Sequence, residues 1–207
     1  MRIIAGEFRS RRLRPPPDAS TTRPMPDHVR EAVFNLLRGH IEGQAVADVF
    51  SGTGSIGLEA LSRGARVCLF VERDRTAGRL LRENVRALGV EDRAEIVQAD
   101  ALGGAALGAC PDPCHLVFFD PPYAMFRDPA ERARLLAGFG RFIERLDETG
   151  YAVLRTPWPV PGPAGDEEIE PLALPGALGP ETHAYGSTAV HLYMNRSATR
   201  GGPRPDG

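Results

Sequence analysis

A doubly wound α/β domain is the fold this sequence predicts, and three observations carry it. From residue 45 onward, short apolar runs alternate with segments of helical period. A glycine-rich loop, Gly52-Thr-Gly54-Ser-Ile-Gly57, joins the first run to the next helix. Acidic residues, Asp48, Glu72, Asp100 and Asp120, stand at or near the ends of successive runs. Alternation of strand and helix implies a parallel sheet covered on both faces and joined by right-handed crossovers.

Taken in order, residues 2–14 alternate loosely, with Ile3, Ala5, Phe8 and Leu13 among arginines and Gly6 near a bend, which fits a short hairpin or extended arm. Pro15 to Pro17 separate this arm from a first helix between Pro26 and Gly39, where Val29, Ala32, Val33, Leu36 and Leu37 recur at helical spacing and Asp27 is placed to cap. Strands follow over Ala45–Phe50, Val67–Val71, Ala94–Gln98, Leu116–Phe119 and Tyr151–Leu154. The helices between them span about 55–63, 74–88 (closed by Gly89), 101–108 and 130–146. Residues 156–181 carry seven prolines and the acidic patch Asp166 to Glu168, and predict a loop with one strand near Glu168–Leu172. A last strand is expected over Thr188–Met194, then a polar, disordered tail from 195 to 207. The division is a basic arm (1–14), one catalytic domain (15–194) and the tail.

The 207 residues suffice for one sizeable core, and a composition 42% hydrophobic and 25% charged reads as globular. No apolar run reaches 18 residues and the N-terminus has no signal-peptide pattern, so a cytoplasmic location is expected. Cys68, Cys110 and Cys114 include no pair of C-x-x-C spacing and are expected as free thiols, with no metal site. The five histidines lack ligand spacing and read as structural. The net charge of −2 hides an asymmetry: residues 1–40 hold eight arginines against four acids. Arg2, Arg9, Arg11, Arg12, Arg23 and Arg30 are the candidate phosphate contacts, set against the plainer reading of a solvated arm.

The glycine loop matches G-x-G-x-x-G after a strand, and Glu72 closes the next strand, which satisfies a dinucleotide fingerprint. Asp48, inside the first strand, is placed to meet a ligand's ammonium group, and Asp100 to accept from an adenine amine. An adenosine with a cationic amino-acid tail, S-adenosyl-L-methionine, uses all three acids, where NAD uses mainly one. Each acid also has a structural reading: Asp48 as a satisfied buried acid, Glu72 and Asp100 as helix caps. Their common position at strand ends on one sheet edge favours a ligand. Asp120-Pro121-Pro122-Tyr123 ends the most apolar short run, His115–Phe119. It sets a carboxylate, a rigid carbonyl and an aromatic face at the sheet rim, suited to a flat ring bearing an amine, although Asp-Pro is also an ordinary exit from a strand.

With Asp48-Val-Phe50-Ser-Gly52-Thr-Gly54, Glu72, Asp100 and Asp120-Pro-Pro-Tyr123 in this order, the chain resembles class I methyltransferases that modify exocyclic amines, and more narrowly the RsmD family of 16S rRNA guanine-N2 methyltransferases. The resemblance also rests on Arg2-Ile-Ile-Ala-Gly6, Thr22-Arg-Pro24, Val29–Leu37, Gly57–Ala65 and Tyr185-Gly-Ser-Thr188. Ser10 departs from the glycine usual in that family's arm, and the proline-rich 156–181 segment is not a family hallmark. The resemblance implies a seven-stranded Rossmann-like sheet, S-adenosyl-L-methionine at the strand tips held by Asp48, Phe50, Gly52, Gly54, Glu72 and Asp100, and Asp120 to Tyr123 acting on the amine. It further implies an arm that grips 16S rRNA in a small-subunit assembly intermediate, and a monomer. The rivals are a methyltransferase for another RNA or DNA base amine such as adenine N6, an NAD-dependent oxidoreductase, and a non-catalytic RNA-binding assembly factor. The oxidoreductase would need a proton-transfer group such as Tyr-x3-Lys, which a lysine-free chain cannot supply.

Overall fold

The computed structural model describes residues 1–16, 25–160 and 172–196. Its elements are α1 (Asp27–Leu36), β1 (Ala45–Val49), α2 (Ser55–Ser62), β2 (Val67–Val71), α3 (Arg75–Leu88), β3 (Ala94–Val97), α4 (Gly104–Ala109), β4 (Cys114–Phe119), a 3₁₀ turn (Tyr123–Phe126), α5 (Pro129–Ile143), β5 (Leu146–Pro157), β6 (Ala177–Tyr185) and β7 (Thr188–Asn195). The seven strands form one sheet in the order β3-β2-β1-β4-β5-β7-β6.

β1 and β4 are apolar along nearly their whole length because they lie at the centre, and every one of their residues is buried. Two apolar layers cover the sheet. One, including Val46, Phe70, Leu116 and Phe118, packs against Val33 and Phe34 of α1, Leu58 and Leu61 of α2, and Leu81 and Val85 of α3. The other, including Val49, Val117 and Phe119, packs against Leu135, Phe139 and Phe142 of α5. Alternate residues of one strand thus serve opposite layers, as the pleat requires.

The sheet is parallel from β3 to β5, as the alternation of strands and helices predicts, and β7 runs antiparallel to both β5 and β6. β6 corrects an expectation, since its residues 177–181 fall within the segment read as loop. Gly179 and Pro180 conceal the strand: the register shifts between Leu178 and Glu181, and β6 lies at the sheet edge, where a residue without an N–H is tolerated. The strand expected at Glu168–Leu172 falls almost wholly outside the described residues. So does the tail beyond Arg196; Asn195 is the last residue of β7, and Arg196 N–H donates to the Gly176 carbonyl at 2.9 Å. β5 begins at Leu146, five residues earlier than its apolar run suggests, with a register irregularity against β4. Asp27 does not cap α1; it sits in the first turn and pairs with Arg30. Gly89 closes α3 at φ 70°, as expected.

The N-terminal hairpin is present, with Arg2 bridged to Arg12, but it is docked rather than projecting. Ile3 and Leu13 are buried in the core, and Glu59 of α2, itself fully buried, accepts the Ile4 and Ala5 N–H groups at 2.7 and 3.0 Å. Gly6 must be glycine here: a Cβ would lie 1.8 Å from the Ser62 carbonyl oxygen. Ser10 turns the hairpin at φ 69°, a left-handed conformation that costs a residue with a side chain about 1–2 kcal/mol. Relief of that strain outweighs the extra chain entropy of glycine, about 0.5–1 kcal/mol. Ser10→Gly is therefore expected to stabilise the fold by roughly 0.5–1 kcal/mol, read as a small rise in Tm.

Candidate active site

The strand order reverses direction between β1 and β4, since successive strands run outward from β1 to β3 on one side and from β4 on the other. In open α/β sheets a crevice opens at that point, beyond the carboxyl ends of the strands. Backbone pairing brings the predicted residues there. Asp120 N–H donates to the Val49 carbonyl at 3.3 Å, Ser51 N–H to Val71 at 3.0 Å, and Glu72 N–H to Val97 at 3.2 Å. The segments leaving β1, β2 and β4 therefore start from a common rim.

The three glycines of the loop have different reasons to be glycine. Gly57 lets α2 lie against β2, because a Cβ would meet Phe70 Cε1 at 2.3 Å and Cys68 Sγ at 2.7 Å. Gly54, at φ 87°, starts α2 and would strike Leu81. Gly52, at φ 55°, has nothing within 4 Å of its Cβ position, so the backbone there is open to a ligand. Its N–H donates to Glu72 Oε2 at 2.8 Å, while Glu72 Oε1 accepts the Asp74 N–H at 2.7 Å. Glu72 thus joins the loop to the start of α3, whose cap is Asp74. Phe50 is held at φ 67° with its ring edge-on to Phe119, centroids 5.0 Å apart. Such a strained backbone in a bulky residue is sustained by its surroundings and concentrates at functional sites.

Asp48 is fully buried. Its Oδ2 accepts the Gly57 N–H at 2.8 Å, whereas Oδ1 has no hydrogen-bond partner among the described residues. Burial pushes its carboxyl up to about 7; the charges of Asp120 and Glu72 add to this and the Gly57 N–H opposes it. Asp100 lies beyond β3. It accepts the Leu102 N–H at 3.0 Å, which with Arg134 at 2.7 Å holds its carboxyl below the usual range despite partial desolvation. The alternative reading of Asp100 as cap of the following helix is not seen, because α4 starts later, with Gly103 at the capping position.

At the head of β4's exit, Asp120 forms an ion pair with Arg155 Nε of β5 at 2.6 Å. Burial raises the Asp120 carboxyl and Arg155 opposes that rise. Pro121 is buried. The Pro122 carbonyl accepts the Met125 N–H at 3.0 Å and starts the 3₁₀ turn that carries Tyr123. Tyr123 O–H donates to Thr188 Oγ1 at 2.6 Å, and Thr188 in turn donates to the Thr156 carbonyl at 3.0 Å. The Arg155 guanidinium lies over the Tyr123 ring, 5.2 Å from its centroid. Beside these residues opens a cavity of about 470 Å³, lined by Pro26, His28, Tyr123, Arg155, Tyr185 and Ser187 among others.

Arg155 and Thr188 were not anticipated from sequence. A signal did exist for Arg155: a lone charge directly after the buried run Ala152–Leu154, much as Asp120 follows β4. Of the predicted RNA contacts, Arg2, Arg9, Arg11 and Arg12 are exposed on the hairpin, and Arg11 reaches the Ala87 carbonyl at 2.9 Å. Arg23 lies outside the described residues. Arg30 requires correction: it is 0% exposed and donates to the Arg2 carbonyl at 2.7 Å and to Asp27 Oδ1 at 3.0 Å, so it holds the hairpin to α1 and does not face RNA.

A family model described as Conserved hypothetical protein 95 matches residues 1–140. The Bacillus subtilis protein YlbH is 30% identical over 201 residues, covering 95% of this chain and 100% of that protein. Ribosomal RNA small subunit methyltransferase D of Escherichia coli K12 is 39% identical over 123 residues, 59% of this chain and 60% of that one. Among solved structures, Escherichia coli yhhF superposes with a TM-score of 0.75 at 28% identity, covering 95% of this chain and 98% of that chain. With its seven-stranded sheet and glycine loop at the β1/β4 crevice, the chain belongs to the Conserved hypothetical protein 95 family, the RsmD-type family that its motifs resemble.

Proposed function

We propose that this chain transfers a methyl group from S-adenosyl-L-methionine to the exocyclic N2 amine of a guanine in 16S rRNA of the small ribosomal subunit. The observation that carries the reading is the convergence of the glycine loop and Asp120-Pro-Pro-Tyr123 at one sheet crevice, supported by membership in a family that includes the named small-subunit rRNA methyltransferase of E. coli.

The site fits the cofactor. Gly52 leaves its backbone open, Glu72 can accept from ribose hydroxyls, Asp100 from the adenine amine, and the unpartnered Asp48 Oδ1 suits an ammonium group. Phe50 flanks this set. The cofactor supplies an electrophilic sulfonium methyl, so the protein's part is chiefly alignment and charge stabilisation. Asp120 and the Pro121 carbonyl accept from the amine as positive charge develops on its nitrogen. Tyr123 offers the ring face turned away from Arg155 to a base that has left its helical stack. The docked hairpin presents Arg2, Arg9, Arg11 and Arg12 to phosphates, which position the RNA while the cavity selects the base. We further infer a monomer acting on a partly assembled subunit.

Labelled S-adenosyl-L-methionine with 16S rRNA, assembled small subunits or DNA, followed by mapping of the modified base, tests this reading. Methylation at guanine N2 supports it. Transfer to adenine N6, transfer to DNA alone, or no transfer to any substrate overturns it.

A pH dependence follows from Asp48. A buried carboxyl near 7 must ionise to meet a cation, so cofactor affinity is expected to rise as pH increases through about 7, with release of a proton. Titration calorimetry in buffers of different ionisation enthalpy reads that proton. Asp48→Asn is expected to weaken binding and to flatten its dependence on pH.

A further inference from the structure

Arg155 is a charged side chain only 6% exposed, and it touches both ends of the Asp-Pro-Pro-Tyr segment. Its Nε lies 2.6 Å from Asp120 Oδ1, and its guanidinium lies over the Tyr123 ring at 5.2 Å. The segment between those two contacts contains two prolines, each with a restricted φ, so fixing its two ends leaves it little freedom. The far side of Tyr123 is tied as well, through Thr188 to the Thr156 carbonyl, next in chain to Arg155. β5 and β7, paired at Arg155↔Val190 and Thr156↔Ala189, are therefore the scaffold on which the segment is mounted. Arg155 and Tyr123 share the lining of the 470 Å³ cavity.

We propose that Arg155 is a positioning residue of the methyl-transfer site, orienting the Asp120 carboxylate while it fixes the Tyr123 ring beside the cavity for stacking. The assignment rests on the functional reading above and adds to it a residue outside the recognised motif. An arginine suits the task because its planar group offers a donor edge to the carboxylate and a flat face to the ring, which a lysine ammonium does not.

The charges that bear on Asp120 are Asp48 of β1, which it repels, and Arg155 of β5, with the Tyr123 hydroxyl turned away to Thr188. Of these only Arg155 favours the ionised form. Removing it leaves burial unopposed, so the Asp120 carboxyl titrates at higher pH and the acid limb of kcat moves the same way.

The test compares wild type with Arg155→Gln and Arg155→Lys, following kcat and KM against pH, S-adenosyl-L-methionine affinity, and the Asp120 carboxyl carbon shift by NMR. In Arg155→Gln, kcat is expected to fall on the order of 10²-fold at neutral pH, with its acid limb displaced upward and cofactor affinity retained. Arg155→Lys is expected to keep the limb near its wild-type position while kcat stays reduced, because charge is restored without the flat face. Wild-type and Arg155→Gln pH profiles that superimpose after scaling, or an Asp120 titration unchanged in Arg155→Gln, overturn the proposal. The NMR titration needs no turnover, so it decides the role of Arg155 even if the substrate proves to be different. Should Arg155→Gln fail to fold, Arg155→Lys still decides: a kcat equal to wild type overturns the role, and a reduced kcat with an unmoved limb supports it.

Discussion

Asp120→Asn is expected to lower kcat by roughly 10²–10³-fold, the usual loss when one charged group that stabilises a transition state is neutralised. S-adenosyl-L-methionine affinity is expected to be retained, because the Glu72 and glycine-loop hydrogen bonds do not involve Asp120 and loss of the Asp120 charge only eases ionisation of Asp48. Asparagine is the informative replacement. It keeps the shape and one acceptor oxygen for Arg155, whereas alanine would leave the buried guanidinium with neither counter-charge nor acceptor and cost about 3–5 kcal/mol, confounding chemistry with stability. Single-turnover methylation alongside equilibrium binding separates the two effects. A variant that retains full kcat with normal affinity removes Asp120 from the mechanism.

Glu59→Gln is expected to be strongly destabilising. The Glu59 carboxylate is 0% exposed and accepts from Ile4 N–H, Ala5 N–H and Arg63 Nε at 2.7, 3.0 and 2.8 Å, with Arg30 Nε at 4.0 Å. An amide presents only one acceptor oxygen and turns an N–H₂ toward a group that is itself a donor. Two arginines lose their shared counter-charge at the same time. Breaking a buried pair in this way costs about 3–5 kcal/mol, and at about 2–4 °C per kcal/mol for a domain of this size Tm falls by roughly 10 °C. Hydrogen exchange should show the loss first at residues 2–14, since their contacts with α2 are the ones removed. The same geometry means that deleting residues 2–14, conceivable for a projecting arm, would strip Ile3 and Leu13 from the core and unsettle the whole fold.

The order of strands and helices was legible from the chain alone because buried central strands must be apolar throughout, as β1 and β4 are, and because glycines mark the turns between them. The same reasoning failed at the sheet's far edge. β6 is half exposed and broken by Gly179-Pro180, so it carries neither a continuous apolar run nor clean alternation. At the site, Asp48, Glu72 and Asp120 could be found since each stands at a fixed offset from a strand end. Arg155 belongs to another strand: its place after the buried run Ala152–Leu154 marks it as unusual, but only the β4–β5 pairing brings it to Asp120.

Spacing along the chain is enough to specify the glycine loop, the acids at the strand tips, the Asp-Pro-Pro-Tyr segment and the hairpin, since each is a local pattern tied to the period of a strand or a turn. Charge counting could find basic residues 2–14 but could not tell an exposed arginine from one buried under the hairpin; Arg30 and Arg11 look alike in sequence and do opposite things. Which acids are held by backbone N–H groups, which by arginine, and which, like Asp48 Oδ1, are left without a partner depends on β1, β2, β4 and β5 lying side by side. Those pairings join residues as many as 70 positions apart, as in Asp48 of β1 and Phe118 of β4, beyond the reach of any local period.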